Sequence, residues 1–386
     1  MRVYLRLIKI TVALLLLNLL SGCWDIKEIQ DVNYITALGI DYEDGNFIIY
    51  TQMLDFSYVA KAETGKSDKP AQVWTGKTTG KTLNMAISQV FNSAQERTVW
   101  SHISCIIMSE NYLKTDIVKN TDTLNRYQEV RWTPWVFGTK ESIERLLTTT
   151  AFFNLSPLKT LLHEPLQEYK QKSYIVPVRY FDFVAQLTEP ATTALLPNLT
   201  IDSSTWKLNK KNDPKLIIDG AYALSSEGKY NGLLKNNELS GLRWLQEETR
   251  RSSINVKKDG VHAAFVYLED PKIRRSLKMV HGVPRYQVHI ESRANVTEAL
   301  TEITETEIEK LAAEVIKQEI LDTYNNGLKI KSDVYSLEHL LFKQKTGIWK
   351  QLQQSSDDLL DENSLDFVTV KVNIEFVGMM KLPKKP

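Results

Sequence analysis

Two rhythms of apolar residues run along this chain, one of period two and one near 3.6, and the switches between them outline its elements. Ile35–Asp41 and Phe47–Leu54 are β-rich, and Tyr42-Glu43-Asp44-Gly45-Asn46 between them is turn chemistry. Its Asp-Gly pair supplies the positive φ of a tight hairpin. Ahead of them, Ile26, Ile29 and Val32 suit one or two helical turns in Trp24–Asn33. Ala62–Ala71 is polar and reads as a loop, and Leu83, Ala86, Ile87, Val90 and Phe91 give Thr82–Ser93 helical spacing. Ile103–Met108 predicts a buried strand, Tyr112–Arg131 a helix with a polar outer face, and Trp135–Phe137 a short strand ending at Gly138. Ser156-Pro157 is a helix start, and Pro165 predicts the kink or end of that helix.

The second half differs. Lys215–Leu224, Val261–Tyr267 and Tyr286–Ile290 predict strands, and Leu239–Leu245 a short helix. An apolar stripe from Ile308 through Leu311, Ala312, Val315, Ile316 and Ile320 to Tyr324 predicts a long amphipathic helix, with Glu305, Glu307 and Glu309 favouring its N-terminal dipole. A second such helix spans roughly Leu337–Leu352. In the last strand Val368, Val370, Val372, Ile374 and Phe376 alternate with polar residues, so one face is packed and the other wet. Thr188–Lys215, rich in Thr, Asn, Asp and Pro, is the best boundary. It divides the mature chain into an N-terminal α+β region at 23–198 with two possible subdomains, a linker or boundary at 199–214 and a C-terminal α+β domain at 215–386. Strands followed by helices without regular βαβ alternation give an α+β class with mixed or antiparallel sheets and packed helices.

The N-terminus changes the picture most. Arg2, Arg6 and Lys9 precede the apolar run Ile10–Leu20, which as a helix of about 16 Å is too short for a hydrocarbon core of about 30 Å. It reads as a secretory signal, residues 1–22. Leu20-Ser21-Gly22-Cys23 matches the pattern of lipoprotein signals, in which cleavage falls between Gly22 and Cys23 and the Cys23 thiol carries a diacylglyceryl group. Two or more acyl chains make a lasting anchor where one does not.

Charge is nearly balanced, with 48 Lys+Arg against 47 Asp+Glu, and three of the basic residues lie in the leader. Nothing there points to nucleic acid. Cys105, in an apolar run, reads as a buried inert thiol; with Cys23 acylated no intramolecular disulfide is possible. Gly76-Lys-Thr-Thr-Gly80-Lys81-Thr82 has three residues between its glycines where a phosphate loop needs four, and reads as a solvated loop capping a helix. No two of the six histidines have the spacing of a local zinc pair, and His102 reads as a satisfied core or boundary residue. The tryptophans read mostly as core. No catalytic residue, cofactor site or metal site is assigned, and an enzyme is disfavoured.

Gly22-Cys23-Trp24-Asp25-Ile26-Lys27-Glu28-Ile29 and Ala37-Leu38-Gly39-Ile40-Asp41 resemble the Ger(x)C spore germination lipoproteins. So do Thr79–Ala86 with His102, Arg126-Tyr-Gln-Glu129-Val-Arg131, Asp219-Gly220-Ala221-Tyr222-Ala223, Gly232-Leu233-Leu234, Leu239-Ser-Gly-Leu-Arg-Trp244-Leu245 and the closing strand with Gly378. The pattern departs at Val334–Glu338, which lacks the glycines expected before the penultimate helix. The resemblance implies a non-enzymatic C subunit of a nutrient germinant receptor, built of three α+β domains. Its implied partners are two integral-membrane subunits, A-type and B-type, at the inner spore membrane, with the lipid bilayer held through acylated Cys23. The family supplies no catalytic residues, and Cys23 alone maps onto a known role. The competing reading is a lipid-anchored solute-binding protein that hands a small ligand to a transporter, a class built on two hinged α/β lobes. An anchored envelope enzyme ranks third.

Overall fold

Strand β1 (Val32–Glu43) turns at Asp44-Gly45, both at positive φ, and returns as β2 (Asn46–Leu54). The hairpin is the one the Asp-Gly pair predicts. The computed structural model describes residues 1, 4–6, 8–11, 32–54, 72–126, 129, 131–355 and 359–376. Gly22, Cys23, most of the predicted turns at Trp24–Asn33 and the loop at Ala62–Ala71 lie outside the described residues; Val32 and Asn33 themselves open β1.

The chain continues through β3 (Val73–Gly80), α1 (Leu83–Gln89), β4 (Arg97–Val99), β5 (Cys105–Ser109), α2 (Glu110–Leu113) and α3 (Ile117–Asn125). Then come β6 (Trp135–Thr139), α4 (Ile143–Leu147), α5 (Pro165–Gln171), β7 (Val178–Arg179), α6 (Tyr180–Thr188) and β8 (Thr193–Asp202). A small hairpin, β9 (Lys207–Leu208) and β10 (Lys211–Asn212), precedes β11 (Lys215–Ser225) and β12 (Tyr230–Leu234).

These strands form a ten-stranded mixed sheet ordered β12-β11-β8-β6-β5-β1-β2-β3, with β4 on β1 and β7 on β6. Its four central strands are parallel, with Ile40, Met108, Gly138 and Asn198 in register. Parallel strands are covered on both faces, so they read as continuous apolar runs. Ile106 and Met108 accordingly face the helices α1, α2, α3 and α6, while Cys105 and Ile107 face α4. Cys105 is fully buried, as predicted.

The second sheet is β13 (Arg251–Lys258), β14 (Val261–Val280), β15 (Val283–Ala299) and β16 (Leu365–Phe376), in that order. Between β15 and β16 run α7 (Glu305–Lys329) and α8 (Leu337–Ser355), which let β16 return parallel to β15. Thr304 and Glu307 close a reciprocal capping box at the start of α7. Ile308, Ala312, Ile316 and Ile320 pack the predicted stripe onto the sheet with Val368 and Val372. Mixed and antiparallel sheets with packed helices are the expected α+β class.

Several local expectations are corrected. The stretch 199–214 holds the end of β8 and the β9–β10 hairpin, and β11 pairs back onto β8 from Lys215↔Asp202 to Ser225↔Thr193. Lys215–Leu234 thus belongs to the first sheet. Gly76–Gly80 is edge strand rather than loop, although Thr82 does cap α1 through the Met85 N–H. The helix predicted at Tyr112–Arg131 breaks at Lys114, and Asp116 caps the restart at the Lys119 N–H. Pro165 starts a helix instead of ending one, because the first turn needs no N–H there. His102 is exposed, its ring edge-on to Tyr34 at 4.8 Å. Phe376 is 59% exposed because a register shift between Ala294 and Asn295 turns it off the inward face. Trp100, Trp135, Trp244 and Trp349 are buried, whereas Trp74, Trp132 and Trp206 are exposed.

Candidate functional site

A polar cluster between the two sheets is built on Leu239–Leu245. Leu242–Leu245 forms a single 3-10 turn against the middle of α7. Gly241 sits so close to that helix that a Cβ would lie 2.3 Å from the Glu319 carbonyl oxygen. Its N–H donates to Thr323 Oγ1 at 2.9 Å, and that hydroxyl donates to the Glu238 carbonyl at 3.1 Å. Arg243, only 2% exposed, donates from Nη2 to both carboxylate oxygens of Glu319 at 2.9 Å. Trp244 Nε1 donates to the same carboxylate at 2.5 Å. The guanidinium lies over the Tyr174 ring at 4.4 Å and the Trp244 ring at 4.7 Å. Burial pushes the Glu319 carboxyl up, while Arg243 and the Trp244 N–H pull it down.

The neighbouring motif serves the same joint. Gly220 has φ +97, and a Cβ there would meet the Leu234 carbonyl oxygen at 2.0 Å, so only glycine fits. The irregularity between Ile218 and Ala221 frees its N–H to bond Asn236 Oδ1 at 2.8 Å. Asn231 then reaches the turn after α7, donating to the Lys331 carbonyl at 3.0 Å and Ser332 Oγ at 2.9 Å. Thus the Asp219–Ala223, Gly232–Leu234 and Leu239–Leu245 blocks converge on one seam between the ten-stranded sheet and α7. Chemically the seam locks two bodies; its charges are spent on each other.

A second buried cluster links Ser104 Oγ to His163 Nδ1 at 2.6 Å and His163 Nε2 to Gln52 Oε1 at 3.2 Å. Burial pushes His163 down to about 4, so the ring is neutral at pH 7. With Gln52 Oε1 as acceptor, Nε2 carries the proton and Nδ1 accepts from the Ser104 hydroxyl. The Gln52 amide is held in turn by the Leu147 carbonyl at 2.7 Å. A neutral amide behind the ring lacks the charge that stabilises an imidazolium in a serine-hydrolase triad. The arrangement pins the 160–164 turn to the sheet. Among the described residues no group of three His, Cys, Asp or Glu is placed to hold a metal ion, and no helix is long and apolar enough to cross a membrane.

Two family models match this chain, "Spore germination protein N-terminal domain" over residues 25–201 and "Spore germination B3/GerAC like, C-terminal" over residues 219–378. The chain belongs to the GerAC family of spore germination proteins. Both GerAC domains are present in order, and the gap between their matches falls where the strand pairing of β8 and β11 crosses from one to the other. Among Bacillus subtilis (strain 168) proteins it is similar to spore germination protein KC, 23% identical over 399 residues and 96% of each chain. It is also similar to the putative spore germination protein YfkR, 20% identical over 96% of this chain and 97% of that one. Spore germination protein A3 is 24% identical over 271 residues, 67% of this chain and 66% of its own. The crystal structure of the GerBC protein shares the fold, with a TM-score of 0.55 at 14% identity, covering 91% of this chain and all of that one. The three Bacillus subtilis relatives are named for spore germination.

Sequence reasoning marked Arg243 and Trp244 through their motif but missed Glu319. The signal was present: Glu319 stands four residues after Val315 and three after Ile316, on the apolar stripe of α7, where a carboxylate needs a buried cation.

Proposed function

We propose that this protein is the lipid-anchored C subunit of a spore nutrient germinant receptor, working through protein contacts beside two integral-membrane subunits, one A-type and one B-type. The observation that carries this reading is the match of both GerAC domains, in order, across nearly the whole chain. The buried seam at Arg243–Glu319 supports it, because a subunit that transmits through its surfaces needs domains that move together. The anchor is assigned to Cys23 after cleavage at Gly22, on the outer face of the membrane that becomes the inner spore membrane. Tethering raises the effective concentration of the domains near their partners without adding contacts.

Deletion in a strain lacking paralogous receptors tests the function. Nutrient germination is lost, while sporulation and non-nutrient germination persist. A normal nutrient response sinks the reading and leaves the solute-binding alternative, which a thermal-shift screen against amino acids and sugars then decides. Cys23→Ala tests the anchor: the variant incorporates no lipid and leaves the membrane fraction, and lipid incorporation equal to the parent refutes the assignment.

A further inference from the structure

One end of the ten-stranded sheet carries a cluster of exposed apolar side chains that the domain seam does not use. Phe152, Phe153 and Leu155 project from the loop after α4, and Trp206 and Leu208 from the β9–β10 hairpin. Phe153 is 76% exposed, Leu208 64% and Trp206 52%. The two segments touch, with the Phe152 ring edge-on to Trp206 at 5.0 Å and the Lys215 ammonium over Phe152 at 4.7 Å. Both tips are held in the left-handed region without glycine: Phe153 and Asn154 at φ 57 and 55, Asn209 and Lys210 at φ 49 and 70. At Asn209-Lys210 this is the ordinary turn of a two-residue hairpin; at Phe153, a bulky aromatic, it is a strained conformation that leaves the ring exposed.

Charge names the occupant. Lys207, Lys210 and Lys211 are exposed around Trp206 and Leu208 and form no ion pair among the described residues. The nearest acids are engaged, Asp213 with Lys215 at 2.6 Å and Asp202 with the Ser204 and Thr205 N–H groups. Lysine is depleted in protein–protein interfaces. Trp, Phe and Leu fringed by Lys is instead the composition of a surface resting in the headgroup region of an anionic bilayer. We propose that the Phe152–Leu155 loop and the β9–β10 hairpin form a second membrane contact, seating on anionic phospholipid.

This contact sets the pose. Along the parallel strands, Val32 lies eight residues before Ile40, and Asp202 four residues beyond Asn198 in the same register. At ~3.3 Å per residue the patch is roughly 40 Å from the point where the chain enters the sheet. Nine residues from Cys23 to Val32 reach at most about 32 Å. Anchor and patch meet one bilayer only with the strand axis inclined toward the membrane plane, so the sheet leans over the bilayer instead of standing on it.

The full chain is reconstituted in vesicles of phosphatidylcholine and phosphatidylglycerol at 3:1, with brominated acyl chains, and bromine quenching is compared between the parent and Trp206→Phe. The parent shows a quenched component that Trp206→Phe loses, although all other tryptophans remain. Pure phosphatidylcholine, or the triple variant K207Q/K210Q/K211Q, lowers that component; at low salt each lysine removed weakens the patch's partition onto the anionic surface by about fivefold. Equal quenching in the parent and Trp206→Phe, in protein that floats with the vesicles, overturns this inference alone. The inference rests on the membrane attachment proposed above, and Cys23→Ala separates the two. A Trp206-dependent quenched component that survives in the unacylated variant upholds the patch whatever the anchor does; acylated parent that floats without that component refutes the patch alone, and acylated parent that fails to float refutes the anchor.

Discussion

Removing the Glu319 carboxylate tests whether the seam holds the two domains together. In Glu319→Ala the Arg243 guanidinium stays 2% exposed, over two aromatic rings, with its bidentate partner gone. Breaking a buried pair from one side costs about 3–5 kcal/mol, because the remaining charge is left desolvated and uncompensated. For a domain of this size that is a fall in Tm of roughly 6–20 °C. Arg243 Nε and Nη1 have no acceptor among the described residues, so the pair itself is an expensive way to fill the space. Arg243→Met with Glu319→Leu therefore recovers most of the loss, since apolar replacement of both members is often neutral or favourable. Thermal unfolding followed by near-ultraviolet circular dichroism reads all three variants, with Trp244 beside the change. A loss under about 1 kcal/mol in Glu319→Ala, or a double variant no better than the single one, refutes the reasoning.

Other outcomes follow from single positions. Val372→Asp puts a charge at a site 4% exposed against α7 and lowers stability by at least ~3 kcal/mol, and an unchanged Tm means the strand register is wrong. Gly220→Ala loses stability through both its φ of +97 and the Leu234 carbonyl, measurable by urea denaturation. Ser336→Gly gains up to ~1 kcal/mol, because Ser336 stands at φ +51 just before α8; a lower Tm speaks against this. His163 titrates near 4 when folded and near 6.5 when unfolded, so its contribution is whole above pH 6.5 and lost as pH falls toward 4. That amounts to about 3 kcal/mol, and His163→Gln flattens this part of the pH–stability curve.

Local chemistry was legible and distant pairing was not. Asp44-Gly45, the stripe of α7 and the alternation of β16 each encode their element within a few residues, and each formed. In the segment 199–214 the Thr, Asn and Pro content describes the β9–β10 hairpin but says nothing of β8 and β11 closing on each other. Val334–Glu338 lacks glycine, yet Ser336 within it adopts a left-handed conformation at φ +51. Asp333 offsets part of this strain by accepting the Glu338 N–H at 2.7 Å at the start of α8. At the seam, the motif named one side of the contact, and its partners on α7 lie about 75 residues downstream.

The burial of Cys105 has a practical consequence. Its thiol is fully enclosed and burial pushes its pKa well up, so it offers almost no thiolate to an electrophile. The chain has two cysteines. Maleimide stoichiometry then becomes a direct count of acylation: a denatured chain with a lipid on Cys23 takes one equivalent, and an unmodified chain takes two. With Cys23 acylated, a cysteine introduced at Val280, 44% exposed beside the tip of the β14–β15 hairpin, is the sole labelling site of the native protein. A dye there reports the tilt of the second sheet without removing any native residue from the core.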